Sequence, residues 1–245
     1  IKDPRLVTYA KRPVLRKIVR RVVNILGPAK VPTRKTKKPL LPGVEGELDI
    51  EETTERTLGK DHVDHRDLIV ETMEPKRIAC SLMLDSSLSM SGDKLAMAAA
   101  SIAILAERMK TFDYSLITFN DSATVVKDQR PNPHVASLLE KMLDTEAWGY
   151  TNIENALKKG LSELKRTRAT HKLGIIVTDG NYTVGGDPLK IASLYPKLHV
   201  IMVEDYDSKQ STCRKMASIG KGEFFKIRDY DDLPLVLYQI LRDVS

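Results

Sequence analysis

The sequence predicts an α/β fold: a doubly wound, mostly parallel six-stranded sheet with one antiparallel edge strand and helices on both faces, preceded by a helical and extended N-terminal appendage. Three observations carry this expectation. From Arg77 onward, short apolar runs alternate with amphipathic stretches of helical period, the signature of strand–helix–strand units around a parallel sheet. Asn120-Asp121-Ser122 forms a turn signal between two such runs, which predicts a hairpin and hence an antiparallel edge. The first 44 residues differ in composition from everything after them, carrying 13 Lys and Arg against the single acid Asp3, a net +12.

The elements follow in order. Val14, Leu15, Ile18, Val19, Val22, Ile25 and Leu26 recur at helical spacing and Gly27-Pro28 stops them, so residues 1–28 read as a basic amphipathic helical segment. Its apolar stripe is expected to pack on the domain, because no aromatic residue is interleaved with Arg16, Lys17, Arg20 and Arg21 as a nucleic-acid surface would favour. Residues 29–45, with three prolines and Arg34-Lys35-Thr36-Lys37-Lys38, read as an extended linker. Residues 46–76 read as an acidic connecting segment; six acids lie between Glu45 and Glu55, and a short helical candidate follows Asp49. His62 and His65 stand among Asp61, Asp64 and Asp67 at a spacing that suits zinc, but no further His or Cys lies nearby, so they read as a solvated loop.

Residues 77–245 form the main domain. Strands are expected at Ile78 to Leu84, Tyr114 to Phe119, Ala123 to Lys127, Leu173 to Thr178, Leu198 to Glu204 and Glu223 to Ile227. Helices are expected at Lys94 to Lys110, His134 to Leu143, Asn152 to Arg166, after Asp187-Pro188, at Ser208 to Ile219 and from Asp231.

Composition excludes several classes. With 42% apolar and 29% charged residues the chain is neither disordered nor fibrous. No run approaches the roughly 18 apolar residues of a membrane span. Two distant cysteines, Cys80 and Cys213, do not make a disulfide framework and point to a reducing, cytoplasmic setting.

The chemistry concentrates where the first main-domain strand ends. Asp85, Ser87 and Ser89 alternate along an extended turn, so three oxygen-bearing side chains aim at one point. Such a post-strand loop lies at the carboxyl edge of a doubly wound sheet, where ligands bind, and hard oxygen donors suit magnesium or manganese. A helix-capping turn is the competing explanation of the same three residues. Catalysis lacks support: a nucleophilic Asp85 would have Ser87 where a general acid is needed, and neither a phosphate-binding loop nor a Gly-x-Ser-x-Gly elbow is present.

These residues resemble the metal-ion-dependent adhesion site of the von Willebrand factor A domain. The Asp-x-Ser-x-Ser element is Asp85, Ser87 and Ser89; the distant Thr is Thr151 in Gly149-Tyr150-Thr151-Asn152; the distant Asp is Asp179 in Thr178-Asp179-Gly180. Leu88 departs from the Gly that many members carry there. The resemblance covers residues 77 to 243 and implies a magnesium (or manganese) ion at Asp85, Ser87, Ser89, Thr151 and Asp179, with an open position for an acidic side chain of a protein partner and no enzymatic activity. Gly46-Glu47-Leu48-Asp49, Gly185-Gly186-Asp187-Pro188 and Asp231-Asp232-Leu233-Pro234 are similar to A-domain proteins that accompany MoxR-type AAA+ ATPases. That implies an adaptor docking a client or complex to an ATPase on another chain. The alternatives are a subunit of a metal-chelatase-like AAA+ complex and an RNA-binding protein of the Ro type, to which residues 1–44 would lend a polycationic arm.

Overall fold

The computed structural model describes residues 4–27, 33–109, 112–129, 137–138, 141–142, 149–204 and 209–244. Two units are distinguished, one built from residues 1–29 and 77–245 and the other from residues 30–76.

Three strands belong to the smaller unit: β1 (Thr33–Pro39), β2 (Glu47–Leu48) and β3 (Ile69–Pro75). Those of the larger unit are β4 (Ile78–Asp85), β5 (Asp113–Phe119), β6 (Ala123–Lys127), β7 (His171–Thr178), β8 (Leu198–Val203) and β9 (Lys221–Ile227). These six form one sheet in the order β6-β5-β4-β7-β8-β9, all pairs parallel except the β5–β6 hairpin. All eight residues of β4 are buried, because a central parallel strand is covered on both faces. Its side chains divide by the two-residue period: Ile78, Cys80, Leu82 and Leu84 enter one hydrophobic core, Ala79 and Met83 the other.

The helices are α1 (Pro4–Leu26), α2 (Ile50–Thr57, in the smaller unit), α3 (Asp93–Arg108), α4 (Ile153–Lys165), α5 (Pro188–Ala192), α6 (Gln210–Ile219) and α7 (Leu233–Val244). Leu15, Val19 and Val22 of α1 are buried in the same core as Ile102 and Leu105 of α3 and Leu237 and Ile240 of α7. Ile153 and Leu157 of α4, Ala192 of α5 and Met216 of α6 fill the opposite core. The Arg108 guanidinium donates to the carbonyls of Gly27 and Leu26 (3.2 Å to Leu26), which satisfies the carbonyl end of α1 where a cation also meets the favourable end of the helix dipole. The helix expected at His134 to Leu143 falls mostly outside the described residues, which show helical backbone only at 137–138 and 141–142.

The smaller unit departs from the expectation of a linker and a connecting segment. Its strands form an antiparallel sheet in the order β1-β3-β2. Residues 29–45 thus contain a full strand, and residues 46–76 contain its central partner. The register places Lys37 and Glu47 opposite Glu71, and Lys38 and Leu48 opposite Val70. β1 shows no apolar alternation because its backbone ladder to β3 holds it rather than a buried face. Lys35 meets Glu71 at 2.7 Å, Lys37 meets Asp49 at 2.6 Å, and Lys38 and Arg34 both reach Glu74. Asp49 also caps α2, accepting from the Glu52 amide at 3.0 Å, while Ile69 N donates to buried Thr53 at 2.9 Å. His62 and His65 are exposed.

Candidate functional site

The sheet reverses its winding between β4 and β7, which are direct neighbours although two strands separate them in sequence. Loops leaving the carboxyl ends of those strands diverge, and the crevice between them is the switch point where open α/β sheets place ligands. Asp85 is the last residue of β4; Thr178 is the last of β7 and Asp179 follows it. Asp85, Thr178 and Asp179 are all fully buried.

Asp85 is held from two sides. Its Oδ1 accepts the Ser87 amide at 3.0 Å and its Oδ2 accepts the Thr178 hydroxyl at 2.5 Å. Thr178 Oγ1 in turn accepts the Gly180 amide at 3.1 Å, so one hydroxyl ties the two carboxyl-edge loops together. Ser86 N and Oγ both donate to the Phe119 carbonyl, at 2.7 and 3.0 Å, and fix the loop to β5. Ser87 and Ser89 then stand with their hydroxyl oxygens 3.1 Å apart. Neither side chain caps a helix: the short 3₁₀ turn Leu88–Met90 after Ser87 and α3 after Gly92 both lack a side-chain cap. Helix capping therefore does not account for these residues.

Thr151 is 3% exposed and lies in a loop bound to the others. Its amide donates to Thr183 Oγ1 at 3.1 Å and its carbonyl accepts from Thr183 N at 3.0 Å, linking it to the loop after β7. Leu88 N donates to Gly149 O at 3.4 Å and Asn152 N to Asn120 O at 2.7 Å, which joins the same loop to those after β4 and β5. Asn152 caps α4 through the Asn155 amide. Leu88 and Tyr150, on the two bonded loops, are 64% and 65% exposed.

Asp179 is the least satisfied group. Oδ1 accepts the Asn181 amide at 3.0 Å, but Oδ2, buried, accepts no hydrogen bond. The Lys94 ammonium lies 3.6 Å from it, close enough for attraction and too far for a good hydrogen bond. Gly180 turns the chain at φ +81°, and a Cβ there would sit 2.6 Å from Cys213 Sγ and 2.8 Å from Lys209 O, so both conformation and space require glycine. The Cys213 thiol is pushed up to about 12, first by burial and then by the two acids, which leaves it a protonated wall and not a ligand. Burial likewise raises Asp85 to about 6; the Thr178 and Ser87 hydrogen bonds oppose the rise and Asp179 adds to it.

The structure thus brings together Asp85, Ser87 and Ser89, places Asp179 against the same crevice, and ties the Thr151 loop to theirs. Two further residues of the site, Thr178 and Lys94, are absent from the sequence-based set. Thr178 had a usable signal, a hydroxyl at the strand end beside Asp179; Lys94 had none, since its approach to Asp179 is tertiary. The donors fit a hard divalent cation, being hydroxyls and carboxylates with one buried carboxylate oxygen left without a hydrogen bond.

A doubly wound sheet with an oxygen-rich loop cluster at its switch point defines a Rossmann-like domain. The von Willebrand factor type A domain family matches residues 81–239, and the chain belongs to it. No curated protein sequence matches the chain. Among solved structures it is similar to BatB from Bacteroides thetaiotaomicron (16% identity, TM-score 0.56, covering 68% of this chain and 98% of that one). It is similar to the vWF domain of the type V pili tip protein Mfa5 from Porphyromonas gingivalis (12%, TM-score 0.57, 69% and 95%). A third is the pilus adhesin SpaC from Lactobacillus rhamnosus GG (12%, TM-score 0.56, 72% and 31%). At these identities the likeness is one of fold. No helix among the described residues is long and apolar enough to cross a membrane.

Proposed function

We propose that this chain is a metal-ion-dependent protein–protein interaction module. The observation that carries the reading is the buried Oδ2 of Asp179, which accepts no hydrogen bond, together with Asp85 and the paired Ser87 and Ser89 hydroxyls. A buried carboxylate oxygen without a hydrogen bond is costly unless a cation completes it. Ser87, Ser89 and Thr151 would hold magnesium or manganese through hydroxyls, with Asp85 and Asp179 close by. When bound, such an ion supplies an incompletely neutralised positive centre that favours a partner's carboxylate.

The chain's own residues then orient and exclude. Thr178 fixes Asp85, the bonded loops hold Ser87, Ser89 and Thr151 in register, and Leu88 and Tyr150 present apolar surface to a partner approaching the site. Catalysis has no place in this reading, because Ser87 offers only a hydroxyl where a general acid would stand. The finer reading is an adaptor that docks a client to a MoxR-type AAA+ ATPase on another chain, supported by the sequence resemblance. A metal-chelatase-like complex is the nearest alternative. The Ro-type RNA reading is weakened by Arg34, Lys35, Lys37 and Lys38, whose charges already meet acids of their own unit. Buried, unpaired Cys80 and Cys213 support a cytoplasmic setting.

The test is calorimetric titration of magnesium and manganese into wild type and Asp85→Ala, beside capture of a purified MoxR-type ATPase in magnesium and in EDTA. Binding of metal by wild type alone, with magnesium-dependent capture, is the expected result. Equal titrations of both proteins would overturn the metal site, and capture that persists in EDTA would overturn metal-dependent docking.

A further inference from the structure

We propose that Lys94 is a built-in counter-cation of this site: its ammonium partly neutralises Asp179 in the metal-free protein and opposes entry of a divalent ion, so that it sets the concentration at which the site fills. The inference rests on the metal reading above and extends it to a residue outside the ligand set.

Three features of Lys94 converge. It stands in the first turn of α3, where the helix dipole disfavours a cation, so helix stability does not explain it. Its side chain is only 17% exposed, and a lysine gives up hydration of its ammonium only where a negative charge or other polar partners repay it. Its Nζ lies 3.6 Å from the one carboxylate oxygen of the site that accepts no hydrogen bond. At that separation the attraction is Coulombic and not a directional hydrogen bond, so the ammonium neutralises Asp179 without locking it.

The consequences of removing the charge are opposed. Without Lys94, buried Asp179 loses the cation beside it while the charge of Asp85 still acts on it, and the metal-free protein loses stability. A divalent ion meets one positive charge fewer and binds more tightly. A lysine that merely packs would give the first effect without the second. By linkage, filling the site must also weaken the hold of Asp179 on Lys94.

The experiment uses Lys94→Met, which keeps the aliphatic stem, and Lys94→Arg, which keeps the charge. Magnesium and manganese are titrated into each, unfolding is followed in EDTA, and acylation of Lys94 in wild type is measured by mass spectrometry with and without magnesium. Expected are about tenfold tighter metal binding by Lys94→Met, as loss of one short-range like-charge repulsion implies, near wild-type affinity for Lys94→Arg, a lower unfolding midpoint for Lys94→Met in EDTA, and faster acylation of Lys94 once magnesium is added. If wild type binds metal and Lys94→Met binds it no more tightly, the lysine proposal falls and the metal site stands. If neither binds a divalent ion, both fall. Should Lys94→Met fail to fold, the acylation arm decides, and a rate indifferent to magnesium overturns the proposal.

Discussion

The two sheets handle charge in opposite ways. In residues 33–76, cations and acids meet at the surface: Lys35 with Glu71, Lys37 with Asp49 and Glu52, Lys38 and Arg34 with Glu74. In each pair the cation keeps access to water, so each pair gains little and loses little if broken. At the switch point of the larger sheet, Asp85 and Asp179 are fully buried, and Asp179, with one lysine near it, leaves one oxygen without a hydrogen bond. Many satisfied surface charges line the small sheet; one buried carboxylate short of a hydrogen bond holds free energy in reserve for whatever completes it.

Neutralising a buried acid should widen this difference most. Burial raises Asp85 from 3.8 to about 6, and at about 1.4 kcal/mol per pKa unit the ionised group costs the metal-free fold about 3 kcal/mol near neutral pH. Asp85→Asn is therefore expected to unfold later than wild type in EDTA at pH 7, by up to that amount, and to gain nothing from magnesium. Chemical denaturation in both conditions measures this; a variant several kcal/mol less stable than wild type would mean that Asp85 is structural.

The same shift predicts a pH profile. A carboxyl whose folded pKa is raised contributes stability that is complete below its unfolded value and is lost as pH rises through the folded one. In EDTA the midpoints of wild type and Asp85→Asn should coincide below about pH 4, separate as pH rises from about 4 to about 6, and stay apart above that. Taking the difference between the two proteins removes the opposing contribution of Asp49, Asp67, Glu74 and Glu204, whose lysine and arginine partners hold their carboxyls below the usual range. A separation that is constant with pH would contradict the buried, ionised state of Asp85.

The smallest effect belongs to the surface ladder. Lys35→Ala, which removes the partner of Glu71, should leave the unfolding midpoint unchanged within measurement, and raising salt should change it as little. A large loss would erase the distinction between the two sheets, since the exposed pairs would then be structural.

Much of the site is legible in the amino-acid order alone. Asp85, Ser87 and Ser89 alternate, and Thr151 and Asp179 sit at a helix start and a strand end, all local features that hydrophobic periodicity locates. The antiparallel edge strand Ala123–Lys127 follows from the turn that precedes it. β1 and β3 are hidden for the opposite reason. Thr33–Pro39 carries no buried stripe, and its strand state depends on backbone bonds to Ile69–Pro75, a segment distant along the chain.

Local patterns in the sequence settle the alternation of strands and helices and the apolar face of α1, and they single out the candidate donors, because side-chain period and oxygen chemistry are properties of neighbouring residues. The closed fold alone decides that Thr178 bonds Asp85, that Asp179 keeps an oxygen unsatisfied, that Lys94 stands beside it, and that the basic stretch 33–39 is a strand already neutralised by its neighbours. Those are pairings between distant residues, and burial, which turns a carboxylate from an ordinary solvated group into a costly one, exists only once the chain has closed around it.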